Sequence, residues 1–209
     1  MCYGDSLTAG LTLHGFHPYS EYLKQELRSK GLNVDIVTIG LSGWTAEKLV
    51  EISGEERGLK TLLQTQGPFD LVILLSGTND LGQRKKSGIS KREYEIYENV
   101  WSLHEIVHKE NVRTIAVAVP NSAYQFYHAN ASRLCDRLNN LIMNACNSVV
   151  NLCTFVAGQI VYEPASPMFE ADGLHFSVIG YENMAKALLP VVMKVLKVKS
   201  PAVGDNLTK

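Results

Sequence analysis

Four polar segments, widely separated along the chain, carry the residue types of nucleophilic acyl transfer. They are Gly4-Asp5-Ser6-Leu7, Gly40-Leu41-Ser42-Gly43-Trp44-Thr45, Gly77-Thr78-Asn79-Asp80 and Asp172-Gly173-Leu174-His175. Ser6 is a weak nucleophile at its own pKa and needs an adjacent base. His175 can be that base, because an unperturbed imidazole titrates near neutrality. Asp172 stands three residues earlier, within reach to fix the imidazole tautomer and stabilise the imidazolium. A developing oxyanion needs donors, and the N–H of Ser6, the N–H of Gly43 and the amide of Asn79 are candidates. Glycine at position 43 permits a close approach that a side chain would hinder.

Each segment also has an ordinary reading. A serine after a strand is often a turn or N-cap residue. Gly-Thr-Asn-Asp suits a strand-to-helix turn, and a single Asp-x-x-His occurs by chance in chains of this length. The argument for chemistry is their joint placement.

That placement comes from the periodicity. Short apolar runs alternate with helical patterns. Strand-like stretches are Met1–Tyr3, Val34–Ile39, Phe69–Ser76, Val112–Val119 and Leu152–Val156. Helical spacing marks Tyr19–Lys30, Thr45–Ile52, Leu59–Gln66, the stretch from Arg92 to Glu110, Ala131–Asn147 and Tyr181–Val198, the last with Pro190 as an expected kink. Strands alternating with helices imply βαβ units and a parallel sheet covered on both faces, a three-layer α/β/α sandwich. Ligands in such folds bind at the carboxyl ends of strands, where all four polar segments fall.

Composition narrows the class further. The chain has 209 residues, 45% hydrophobic and 20% charged, enough apolar material for one sizeable core. The formal net charge of -1 provides no electrostatic footprint for nucleic acid or anionic membranes. No apolar run approaches the ~20 residues of a transmembrane helix. No leader precedes Gly4, so a cytoplasmic location is expected unless an upstream segment is missing. Cys2, Cys135, Cys146 and Cys153 show no zinc-site spacing and read as reduced and mostly buried, and no cofactor is called for. The sequons at Asn130 and Asn206 are expected to be unmodified. The basic stretch from Gln83 to Arg92 reads as a solvated loop rather than an anion-binding patch.

Taken together and in this order, the four segments resemble the SGNH (GDSL-type) hydrolases, a superfamily of esterases, lipases, thioesterases and carbohydrate deacetylases. The resemblance runs from Gly4 into the final helix. It implies a flavodoxin-like fold with a five-stranded parallel sheet ordered 2-1-3-4-5. It implies Ser6, Asp172 and His175 as the triad, and Ser6, Gly43 and Asn79 as the oxyanion hole. The substrate implied is a small-molecule ester, hydrolysed through an acyl-serine intermediate. Asp5, Trp44, Leu81, Leu174 and Phe176 flank these positions and are expected to line the substrate site.

Two features depart from the family pattern. Thr38 stands where an asparagine is common, a change in loop bracing. The first strand has at most Met1, Cys2 and Tyr3 ahead of the nucleophile turn, so it reads as truncated, with neighbouring backbone groups left unpaired. Residues 1–199 are expected to form one domain, with 200–209 a frayed tail. Metal-dependent phosphoesterases use Asp-x-His ligands and α/β-hydrolases use G-x-S-x-G, and neither motif occurs. The remaining competitor is a non-catalytic ligand-binding relative disabled by the short first strand.

Overall fold

The chain is described by a computed structural model over residues 1–82, 92–149, 151–157 and 160–197. It begins with β1 (Cys2–Gly4) and a single-turn helix α1 (Ser6–Ala9). A short antiparallel hairpin follows, β2 (Leu11–Thr12) and β3 (Gly15–Phe16), and then α2 (Tyr19–Ser29). The second sheet strand is β4 (Thr38–Gly40), followed by α3 (Ala46–Glu51) and α4 (Leu59–Gln66). Next come β5 (Leu71–Leu75), α5 (Thr78–Gly82) and α6 (Arg92–Lys109). The chain closes with β6 (Arg113–Val117), α7 (Ala123–Tyr127), α8 (Ala129–Ser148), β7 (Cys153–Val156) and α9 (Val178–Lys197).

The main sheet is five-stranded and parallel, in the order β4-β1-β5-β6-β7. Counting its strands along the chain, this is the expected 2-1-3-4-5. β5 is buried at every position, as a strand covered on both faces must be. Alternation along the strands divides the core. Cys2, Ile73, Leu75, Ile115 and Val156 face α2 and α9. On the other face, Met1, Tyr3, Val72 and Leu74 meet Leu49, Leu62 and Leu103 of α3, α4 and α6. A third cluster joins Ala116 to α6 and α8 through Val100, Leu138 and Ile142.

β1 is as short as expected, yet it pairs on both sides, Tyr3 with Ile39 and with Leu74. At its start the Met1 ammonium donates to Leu71 O at 2.8 Å, and Cys2 N–H donates to Val37 O at 2.8 Å. Beyond that point Asn33–Val37 and Asp70–Leu71 border an open cleft floored by Leu23, Leu27 and Val192. The expected strand from Val34 therefore starts only at Thr38, where Cys2 lies alongside as its hydrogen-bonded partner.

Other expectations are corrected. Cys146 and Cys153 form a disulfide, so only Cys2 and Cys135 are free buried thiols. The pairing joins residues seven apart in sequence but placed side by side by α8 and β7, a proximity that motif spacing does not reveal. The hairpin and α7 were not expected from periodicity, and α9 starts at Val178 rather than Tyr181. Asn130 lies in α8 and accepts from Arg133. The stretch from Gln83 to Lys91, Asn206 and the tail from Ser200 lie outside the described residues.

Candidate active site

The nucleophile turn is built by local hydrogen bonds. Asp5 adopts an extended backbone and caps α1, its Oδ1 accepting Leu7 N–H at 3.0 Å. Ser6 therefore becomes the first residue of the helix, at the carboxyl end of β1, where its own N–H has no intrahelical acceptor. Its side chain is recessed, the residue being only 4% exposed.

An imidazole reaches it from the far end of the chain. His175 Nε2 lies 2.9 Å from Ser6 Oγ, and His175 Nδ1 lies 2.7 Å from Asp172 Oδ2. A carboxylate can only accept, so Nδ1 carries the proton and the Nε2 lone pair faces the serine hydroxyl. The other Asp172 oxygen accepts Leu174 N–H at 2.9 Å and His175 N–H at 3.0 Å, closing a turn whose geometry requires the three-residue spacing. Partial burial pushes the Asp172 pKa up. Its hydrogen bonds from the His175 ring and the two backbone N–H groups outweigh that, and the net displacement is downward. The loop is anchored by a bridge between Phe169 and Phe176, with Glu170 N–H donating to His175 O at 2.9 Å.

The donor side of the site comes from two further loops. Gly43 has φ of 79°, a left-handed conformation that glycine adopts without penalty. Asn79 opens the turn after β5, and its Nδ2 donates to Trp44 O at 2.8 Å, leaving the second amide proton for another acceptor. Asp80 Oδ2 accepts Ala46 N–H at 2.9 Å, a second tie between the same two loops. Gly40 packs where a Cβ would fall 2.1 Å from Ala9 N, so the glycine-43 loop leaves the sheet directly against the nucleophile helix. Thr38, at the variant position, donates its hydroxyl to Ser20 Oγ at 2.7 Å and braces β4 on α2.

The residues expected to line the substrate site divide. Trp44 and Leu174 are half-buried, Trp44 against the core cluster of α3, α4 and α6. Leu81 is core, packed among α6 and α8, and Phe176 is core within a train of edge-to-face rings running Tyr162, Phe169, Phe176, Tyr181. Asp5 is fully buried and cannot meet a substrate. Burial, and then the nearby Asp80 charge, raise its pKa to about 7, against the opposing help of Leu7 N–H and Thr78. These three corrections share one cause. Neighbours of a motif residue in sequence alternate between facing the site and facing the core.

Two contributors were missed. Asp80 braces the glycine-43 loop, and its only sequence signal was adjacency to Asn79. The start of α7 supports the histidine loop, Ala123 N–H donating to Gly173 O at 2.8 Å. Its signal was the Ser-x-x-Gln capping box at Ser122 and Gln125. Among the described residues no group of His, Cys, Asp and Glu is arranged to hold a metal ion.

Comparison with known proteins follows the same lines. The family model described as "GDSL-like Lipase/Acylhydrolase family" matches residues 2–182. No curated protein sequence matches the chain. Among solved structures, a Clostridium thermocellum family 3 carbohydrate esterase is similar at 22% identity with a TM-score of 0.67, covering 94% of this chain and 95% of that one. A lipase/acylhydrolase from Enterococcus faecalis is similar at 21% identity with a TM-score of 0.68, covering 96% and 97%. The aryl esterase of M. smegmatis is similar at 19% identity with a TM-score of 0.70, covering 93% and 97%.

Proposed function

The chain belongs to the GDSL-like lipase/acylhydrolase family and is an ester-bond hydrolase, and on that premise we propose that it cleaves small carboxylic esters, short-acyl or acetyl, through an acyl-serine intermediate. The observation that carries this reading is the continuous relay from Asp172 Oδ2 through His175 to Ser6 Oγ, with separations of 2.7 and 2.9 Å.

In the first step His175 Nε2 takes the Ser6 proton as Oγ bonds to the ester carbonyl carbon, and Asp172 stabilises the imidazolium. The carbonyl oxygen becomes an oxyanion that accepts from Ser6 N–H, Gly43 N–H and the second amide proton of Asn79. His175 then passes its proton to the departing alcohol. In the second half the same nitrogen takes a proton from water, hydroxide oxygen attacks the acyl carbon, and Ser6 leaves with the proton returned. No cofactor enters either step.

The recessed Ser6, only 4% exposed, supports a small acyl group. The competing reading, a binding relative without catalysis, predicts a nucleophile detached from its base, and the 2.9 Å contact speaks against it. The test is a fluorophosphonate probe, which phosphonylates activated serines with loss of fluoride. Labelling of the native chain, lost in Ser6→Ala, is the expected result. A folded native chain that takes no label overturns the proposal.

A further inference from the structure

Two buried carboxyl groups adjoin the site, and the acyl-transfer steps use neither. Asp5, fully buried, stands on the nucleophile turn immediately before Ser6. Asp80, 8% exposed, stands on the turn after β5 immediately after Asn79. The side chains acting on the Asp5 carboxyl are Asp80 and Thr78, the two residues that flank Asn79. The pair thus joins the turn of the attacking serine to the turn of the amide assigned to the oxyanion.

Their hydrogen bonds set the two carboxyls apart. Asp80 Oδ2 accepts Ala46 N–H at 2.9 Å, a bond that favours the carboxylate form. Asp5 Oδ1 accepts Leu7 N–H at 3.0 Å, but its Oδ2 is buried without a hydrogen-bond partner. The Thr78 hydroxyl acts on Asp5 and completes no hydrogen bond either. A bare carboxylate oxygen there loses its hydration with nothing in return, whereas a carboxyl O–H keeps the group neutral and offers a donor. Two buried carboxyls that feel each other's charge do not both ionise readily, and the less supported one keeps its proton. Burial, and then the Asp80 charge, accordingly raise the Asp5 pKa to about 7. The remaining titratable groups offer no relief. Burial pushes up the hydroxyls of Tyr19 on α2 and Tyr181 on α9, and the Asp5 charge is a further cause at each. Cys2 of β1, beside Tyr19, is pushed up by burial as well. His175 meets Ser6 Oγ and is held by Asp172, and among the described residues no cation acts on Asp5.

We propose that Asp5 and Asp80 form a carboxyl pair holding a single charge, and that Asp5 is a positioning residue that must be neutral for the oxyanion to form. The catalytic half of this rests on the acyl-serine reading; the pair itself does not. A neutral Asp5 caps α1 and fixes Ser6 without adding charge beside Asn79. An ionised Asp5 puts a second negative charge next to the turn where the substrate oxygen becomes negative, and like charges in a buried site repel strongly. Activity then rises with pH as His175 becomes free to take the Ser6 proton. It falls again as Asp5 ionises, and the Asp80 charge sets the pH at which that fall begins.

The test is the pH profile of kcat on p-nitrophenyl acetate for the native chain, Asp5→Asn and Asp80→Asn, over the range in which circular dichroism shows each folded. Asparagine keeps an oxygen for Leu7 N–H at position 5 and for Ala46 N–H at position 80, so both turns stay closed. Native kcat should pass through a maximum and then fall by roughly tenfold between about pH 7 and 9. The falling limb should vanish in Asp5→Asn and move to lower pH by roughly one unit in Asp80→Asn. A role confined to holding the turns would leave the shape of the profile alone. A native profile that stays level to about pH 9 overturns the proposal, as does a falling limb that either variant leaves in place. A native chain inert to the ester at every pH overturns the acyl-serine reading, and carbon-13 NMR of the aspartate carboxyls then decides the pair. A resonance titrating near pH 7, absent from Asp5→Asn and shifted to lower pH in Asp80→Asn, supports the pair, and its absence from the native chain overturns it.

Discussion

The amide of Asn79 donates to the carbonyl of Trp44 across 2.8 Å, joining loops that are 35 residues apart in sequence. One amide proton of Asn79 is thus structural, and the proposed mechanism gives the other to the oxyanion. Replacing Asn79 with alanine should lower kcat by roughly 10²–10³ with a smaller effect on KM. Steady-state kinetics on a short chromogenic ester measure this, and an unchanged kcat would remove Asn79 from the donor set.

Asp172 holds His175 in one tautomer while two backbone N–H groups hold Asp172. Asparagine at 172 can keep the turn closed through its carbonyl but favours the wrong ring tautomer. Asp172→Asn should therefore drop kcat by about 10⁴ while the unfolding midpoint moves little. A loss of less than tenfold is the outcome incompatible with the assigned role.

Gly40 ends β4 and Gly43 lies in the loop that follows, and the two differ in what surrounds them. A Cβ at 40 would meet Ala9 N at 2.1 Å and Ala9 Cα at 2.4 Å, backbone atoms with nothing flexible to give way. A Cβ at 43 meets nothing within 4 Å, and only its φ of 79° is unfavourable. Gly40→Ala should cost about 3 kcal/mol, the upper range for overpacking. Gly43→Ala should cost about 1–2 kcal/mol of backbone strain, with the loss appearing mainly in kcat. Denaturant unfolding of both variants reads the difference, and equal destabilisation would contradict it.

Asp5 supplies a pH dependence. Its folded pKa is raised to about 7 by burial, against about 3.9 for an ordinary Asp carboxyl. Between those values the folded chain keeps a proton that the unfolded chain has released, so stability falls as pH rises from about 4 to 7 and levels off above. Asp5→Asn keeps an oxygen to cap Leu7 and carries no titration. The native chain should thus lose stability relative to Asp5→Asn across that window. Urea unfolding of the pair at a series of pH values measures it, and parallel curves would contradict the assignment.

Much of this protein was already written in its residue order. The alternation of apolar runs with helical spacing determined a parallel sheet between helices, because a strand buried on both faces must be continuously apolar and its crossover must be a helix. The Asp172–His175 spacing determined a closed turn, since its hydrogen bonds span only three residues. Asp5 and Ser122 likewise announce helix starts through short-range caps.

Tertiary structure alone decided the rest. The contact between Ser6 and His175 spans 169 positions and exists only because β1 and the start of α9 share one end of the sheet. The Cys146–Cys153 bond, the burial of Asp5, Leu81 and Phe176, and the loss of ladder bonds ahead of Thr38 depend on what packs alongside. Local hydrogen bonds and periodicity act over a few residues and can be read from the chain. Which side chain faces the site, the core or the solvent is set by the partners that long-range packing brings to it.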